Sequence, residues 1–243
     1  MKAILSINNY GNKSFEKHFL PILHKFFSEL KEAGDKNSAD IVFGYWVSLF
    51  YRNSLVLFDN CSKALFLSQS LFTIRLLLEI AADASYINKY PENLKSFKEI
   101  HDSFREKNFD PETMHLEINK YRIYKYKANG KIEKTSSRDR IQAAFGTDVL
   151  NKYDYLCGFT HLNYQGCLMD INYSMEGNIG SFELLLPCLK LYSQAFMVMV
   201  KSIGKLCSID SFSEFDEQKI NRLIEATISE IHEKLITEAT TGS

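Results

Sequence analysis

The chain has 243 residues, of which 45% are hydrophobic and 24% charged, and its formal net charge is −1 at pH 7. This is the composition of an ordinary globular protein, and it excludes a disordered or fibrous class. The near-zero net charge also excludes a global basic field that would favour nucleic acid, although it is compatible with a local basic patch.

Cysteine usage and hydropathy indicate the compartment. The five cysteines form no CxxC or CxxxC pair. An odd number of scattered cysteines without a secretory leader predicts reduced, buried thiols. Residues 1–13 are too polar for a signal peptide, and charged residues interrupt each apolar run before it reaches the ~20 residues of a spanning helix. We therefore expect a cytoplasmic protein without membrane spans.

Apolar residues recur at helical spacing along most of the chain, and no segment has a convincing strand pattern. Proline ends the central helix at Pro91, and Pro187 predicts a kink in a later one. Ser136 or Ser137 caps a short helix that ends at Gly146. The predicted helices cover residues 14–33, 38–60, 61–90, 91–104, 137–145, 147–161, 181–207 and 213–236, and residues 112–127 are a candidate for a further short helix outside the bundle.

The central helix, residues 61–90, is apolar on nearly every side, which is typical of a buried helix. It nevertheless carries Arg75, Glu79 and Asp83, spaced four apart and therefore on one face. Arginine before glutamate is the weaker order for a pair within one helix, so we expect these charges to find partners on other helices or to face a cleft. The first interpretation is an ion pair that fixes helix docking, and the second is a functional site.

A second candidate is His161, within the segment YDYLCGFTHLNYQG. The structural interpretation is a histidine satisfied by a backbone carbonyl or a tyrosine hydroxyl. The functional interpretation is a general acid or base that acts beside Arg75 and Glu79. The predicted catalytic residues are thus Arg75, Glu79 and His161, and the predicted substrate-binding residues are Asp83, Asn163 and Tyr164.

These segments carry a family resemblance. A long apolar helix with R-x-x-x-E, then a proline, then a distant Y-x7-H helix end resembles the DUF5677-type bacterial helical families, here with Arg75, Glu79, Pro91, Tyr153 and His161. Such families are similar to the HEPN-like bundles, many of which are RNA-cleaving toxins or antiviral defence effectors. The chain departs from the nuclease motif R-x4–6-H, because no arginine is followed by histidine at that spacing.

The sequence contains no motif of the other common enzyme or metal-binding classes. It has no glycine-rich phosphate loop and no HExxH, GxSxG or DDxxD motif, and we predict neither a cofactor nor a metal ion. The basic and aromatic run Lys120–Lys134 is interpreted mainly as part of a solvated excursion over residues 107–135, with RNA contact as the alternative.

The sequence therefore predicts an all-α protein, a single bundle of six to eight helices with a disordered tail at residues 238–243. The resemblance implies an RNA- or nucleotide-directed effector of a bacterial defence or toxin–antitoxin type system, and if it is an enzyme, a ribonuclease-like one. The alternative is a non-catalytic binding module, either an antitoxin-like partner or a ligand sensor. A third interpretation is a structural subunit in which Arg75, Glu79 and Asp83 hold an interface. RNA or a protein are the expected partners, and the protein can be a second copy in a homodimer.

Overall fold

The computed structural model describes residues 46–47, 49–57, 67–95, 123–127, 129–160 and 179–207, with isolated positions 17, 21, 24, 25, 28, 218, 222, 226, 229 and 233. Its elements are α1 (Leu67–Lys89), β1 (Tyr124–Tyr126), β2 (Ile132–Lys134), α2 (Ser137–Phe145), α3 (Thr147–Thr160) and α4 (Ile179–Cys207). Residues 46–57 are also helical wherever they are described. Helix accounts for 83% of the interpretable part, which confirms the all-α class.

Helix α1 is central, as predicted, because it packs against α4, α2 and α3. Its apolar residues are sealed from solvent, and Leu71, Ile74 and Leu78 are each 0% exposed. Burying a leucine or isoleucine side chain stabilises a fold by about 1.5–3 kcal/mol. The apolar helical patterns of the sequence predict six core residues, and all six are buried: Trp46, Phe50, Leu71, Ile74, Leu78 and Phe196.

Aromatic residues join the helical residues 49–57 to α4. The ring of Tyr192 lies 6.1 Å from that of Phe50 and 6.4 Å from that of Phe196, centroid to centroid. The Tyr192 hydroxyl donates to Ser54 Oγ at 3.2 Å, so its polar end is satisfied although the residue is buried. Burial raises the pKa of Tyr192. The phenol therefore stays neutral.

The carboxyl end of α1 is fixed to the following hairpin by one buried asparagine. Helix α1 ends at Lys89, just before Pro91, as predicted. The Asn93 amide donates to the carbonyls of Tyr90 and Tyr124, both at 3.0 Å, and its Oδ1 accepts from the Tyr124 backbone N–H at 2.9 Å. These three bonds satisfy a side chain that is 0% exposed.

Strands β1 and β2 form a two-stranded antiparallel hairpin, with Tyr126 opposite Ile132 and Tyr124 opposite Lys134. The short helix predicted over 112–127 is therefore wrong at 124–126, while residues 112–122 lie outside the described chain. Alternating tyrosines suit a strand, and the dipeptide Asn129–Gly130, which predicts a turn, lies where the chain reverses. Gly130 has a φ of 78°, which a residue with a side chain rarely adopts.

The boundaries of α2 agree with the sequence. Ser136 is the N-cap of a capping box in which its side chain accepts from the Asp139 N–H and Asp139 accepts from the Ser136 N–H. Gly146, with a φ of 84°, ends the helix. Helix α3 then starts at Thr147, and α4 begins at Ile179, two residues before the predicted Ser181, and continues through Pro187. The kink at Pro187 stays a prediction.

Two further predictions concern cysteine and membranes. Cys157, on α3, is half-buried, whereas the sequence predicts buried thiols. None of the helices in the described part of the chain combines the length and apolarity that crossing a membrane requires. The predicted tail at 238–243 lies outside the described residues.

Candidate functional site

The polar line of α1 consists of Arg75, Glu79 and Asp83, and it faces α2 and α3. Their side chains keep 21%, 22% and 17% of their surface exposed. They are thus largely withdrawn from water without being sealed. Charges in such positions cost free energy unless each is paired and hydrogen-bonded.

The first group on this line is a cluster of Arg75, Glu79 and Tyr153. Arg75 Nε donates to Glu79 Oε1 at 3.0 Å, and the Tyr153 hydroxyl donates to the same oxygen at 2.6 Å. The Arg75 guanidinium carbon lies 5.8 Å from the centre of the Tyr153 ring, within cation–π range. The arginine is therefore held from two sides, by a carboxylate and by an aromatic face.

Protonation in this cluster follows from its geometry. Burial raises the pKa of Tyr153, and the hydrogen bond and negative charge of Glu79 raise it further. The phenol consequently stays neutral and donates its proton to the Glu79 carboxylate. Cys157, one turn later on α3, is close enough to Arg75 to interact with it electrostatically.

The second group is the ion pair of Asp83 and Arg140. Arg140 Nε donates to Asp83 Oδ1 at 2.5 Å. Its NH1 also donates to the Thr135 carbonyl and hydroxyl at 3.1 and 3.2 Å, and its NH2 donates to Ser137 Oγ at 3.3 Å. Burial raises the pKa of Asp83 to about 6, although the charge and hydrogen bond of Arg140 lower it. Asp83 can therefore exchange a proton near neutral pH, a role that the sequence assigned to His161 alone.

Both groups join helices that are distant in sequence. Glu79 and Tyr153 are 74 positions apart, and Asp83 and Arg140 are 57 apart. The expectation of partners on other helices is met for Glu79 and Asp83, while Arg75 also pairs within α1. Sequence reasoning missed Arg140 as a partner. The only sequence feature that points to Arg140 is its position in the well-capped helix that starts after Ser136.

The remaining predicted site residues cannot be located. His161, Asn163 and Tyr164 lie outside the described residues. His161 follows Thr160, the last residue of α3, and comes eight positions after Tyr153. Its convergence with Arg75 stays a prediction.

The described side chains offer a fixed cation, a carboxylate and a neutral phenol. A guanidinium held in this way is suited to a phosphate or carboxylate group. No group of three or more histidine, cysteine, aspartate or glutamate side chains in the described part of the chain could hold a metal ion.

Comparison with known proteins gives no relative. No family model, no curated protein and no solved structure matches this chain. The resemblance to DUF5677-type and HEPN-like proteins thus stays a prediction.

Proposed function

We propose that this chain is a HEPN-like helical effector of a bacterial defence or toxin–antitoxin type system, directed at RNA or at a nucleotide. The supporting observation is the convergence of Arg75, Glu79 and Tyr153. These three belong to the motif that carries the resemblance, and they meet in one hydrogen-bonded cluster although α3 lies far from α1 in sequence.

The cluster suggests a division of roles. Arg75 supplies fixed positive charge for a phosphate, and Glu79 and Tyr153 orient its guanidinium. His161, directly after α3, is the general acid or base in this proposal. Because the R-x4–6-H motif is absent, cleavage would depend on residues from two segments instead of one helix.

The second candidate is a non-catalytic binding module, an antitoxin-like partner or a ligand sensor. The bonds from Tyr153 to Glu79 and from Arg140 to Asp83 favour it, since they use the polar line to tie α1 to its neighbours. In that case the line is needed for stability, and substitutions that preserve stability preserve function.

The test compares His161→Ala and Arg75→Ala with the parent. Two activities are measured, growth arrest after induced expression in bacteria and cleavage of a fluorescein-labelled single-stranded RNA, together with the melting temperature. We expect His161→Ala to abolish both activities with a nearly unchanged melting temperature. Arg75→Ala should lower activity and stability together, because it leaves Glu79 without its cation.

Arg138→Ala is the matched control. Arg138 is 64% exposed and pairs with Asp154, so its removal takes away an equal charge from the surface of α2. It should leave activity unchanged. A parent that neither arrests growth nor cleaves RNA contradicts the effector proposal, as does a stable and fully active His161→Ala protein.

A further inference from the structure

A small basic pocket lies next to the Asp83–Arg140 pair, where three helices meet. It has a volume of ≈ 220 Å³. Its lining residues come from the carboxyl end of α1, from α2 and from the carboxyl end of α4: Ser85, Tyr86, Asn88, Lys89, Arg140, Ala143, Ala144 and Lys205.

Three cations face this space and no carboxylate is among the lining residues. Lys89 and Lys205 form no salt bridge with any carboxylate of the described chain; Lys89 instead lies 5.7 Å from the ring centre of Tyr90. Arg140 makes four hydrogen bonds within the described chain, one fewer than its five N–H groups. At least one donor of Arg140 is therefore left for another acceptor.

Helix dipoles explain part of this arrangement. Lys89 and Lys205 lie in the last turns of α1 and α4, where cations are favoured by roughly half a negative charge at each helix end. That preference accounts for each lysine separately. It does not account for both lysines lining one cavity beside Arg140, whose own charge is offset by Asp83.

Two carboxylates, Asp83 and Asp139, interact with Arg140. Asp83 accepts from Arg140, and Asp139 accepts from the backbone N–H and hydroxyl of Ser136. Each lysine ammonium also exceeds the roughly half-unit charge of its helix end. Asp83 offsets the charge of Arg140, so the positive charge of the pocket comes from Lys89 and Lys205.

We propose that this pocket binds a phosphate group, either as free phosphate or as the phosphate end of a nucleotide. The volume lies below the roughly 300–1,000 Å³ of pockets for drug-sized ligands, which suits a compact anion. Arg140 provides the planar donor, the two lysines provide mobile ammonium groups, and Ser85 and Asn88 supply neutral polar groups. This site is separate from the Arg75 cluster and independent of the proposed effector activity.

The experiment is a calorimetric titration of the full chain with sodium phosphate, at an ionic strength held constant with sodium chloride. The double variant Lys89→Gln/Lys205→Gln removes both ammonium groups from the pocket. We expect its affinity for phosphate to be more than ~tenfold weaker than that of the parent, since charge-assisted hydrogen bonds are the strong ones. Circular dichroism verifies that the variant is folded.

The matched control is Lys95→Gln/Lys190→Gln, which removes the same charge from two exposed lysines outside the pocket. It should bind phosphate within ~twofold of the parent, because neither lysine lines the pocket and salt screens exposed charges. Equal weakening in both double variants would show nonspecific attraction and overturn the site. So would a folded pocket variant that binds phosphate like the parent, or a parent that does not bind phosphate.

Two more titrations identify the source of the phosphate. A nucleotide ligand is supported if adenosine monophosphate binds at least tenfold more tightly than inorganic phosphate and the pocket variant loses affinity for both. Equal affinities support free phosphate. If single-stranded RNA binding depends on Lys89 and Lys205 while neither small anion binds, the small-anion site is overturned. Phosphate binding that survives Arg75→Ala separates this pocket from the effector proposal.

Discussion

Helix α1 carries two sets of side chains that are stabilised in opposite ways. Leu71, Ile74 and Leu78 are completely buried and belong to the hydrophobic core. Glu79 and Asp83 are largely but not completely withdrawn from water, and each accepts a hydrogen bond from a residue on another helix. The apolar set gains free energy from burial without regard to direction, whereas the polar set loses solvation and is acceptable only in one geometry. The apolar positions therefore supply stability, and the polar positions determine how α2 and α3 dock.

The largest expected effect tests the apolar set. Leu78→Ala should lower the free energy of unfolding by ~2–5 kcal/mol, because it removes buried methyl groups and leaves a cavity. A urea titration followed by circular dichroism measures it. Leu55→Ala is the control, since Leu55 is 39% exposed, and should cost far less. A loss below ~1 kcal/mol for Leu78→Ala would contradict the central position of α1.

The next effect tests the ion pair. Arg140→Ala should destabilise the fold by ~2–3 kcal/mol, somewhat below the ~3–5 kcal/mol of fully buried pairs, because Asp83 is then left unpaired. Arg138→Ala on the same helix should change stability by less than ~1 kcal/mol, as for other exposed pairs. The measurement is again a urea titration.

A double substitution sharpens this comparison. Replacing both partners, as in Asp83→Leu/Arg140→Met, should recover most of the lost stability, because buried pairs are often no better than apolar residues of similar volume. If the double variant is as unstable as Arg140→Ala, the pair contributes to stability itself and the contrast between the two sets is wrong.

How far the sequence could predict this structure depends on the range of the interactions. The limits of α2 follow from Ser136 and Gly146, since capping and a positive φ are local properties. Burial of Leu71 and Ile74 follows from the apolar pattern of α1. The pairing of β1 with β2 does not follow from the sequence, because strand pairing depends on residues across the turn.

The site was predictable only in part for the same reason. The spacing of Arg75, Glu79 and Asp83 places them on one face, and this is a local property. The partner of Asp83 is 57 residues away, and no local pattern specifies it. Its position depends on how α2 docks against α1, which is decided by the packing of the whole helix pair.

The pH dependence of stability offers a further test of the polar set. Burial raises the pKa of Asp83 to about 6, from an ordinary value of about 4. The folded state thus retains a proton that the unfolded state has released, so the contribution of Asp83 to stability is complete below pH ~4 and is lost as the pH rises through ~6. Two pKa units correspond to ~2–3 kcal/mol.

Asp83→Asn removes this titration. The stability of the parent relative to Asp83→Asn should therefore fall between pH 4 and 7, while Asp154→Asn, at a half-exposed pair, should follow the parent. Urea titrations at each pH measure the difference. A constant difference over this range would mean that Asp83 titrates in the folded protein as it does in water.

The smallest expected effect concerns the hydroxyl that joins α3 to the polar line. Tyr153→Phe keeps the ring beside Arg75 but removes the 2.6 Å hydrogen bond to Glu79. Hydrogen bonds to charged groups contribute ~1.5–3 kcal/mol, and because Glu79 keeps some access to water we expect a loss of ~1–2 kcal/mol.

Tyr155→Phe is the control two residues later, where the side chain is 52% exposed, and it should stay within ~0.5 kcal/mol of the parent. In Glu79→Gln the effect of Tyr153→Phe should shrink, because the acceptor is no longer charged. Equal losses for both tyrosine variants would show that the hydroxyl at 153 has no special role, and the polar line would then dock only against α2.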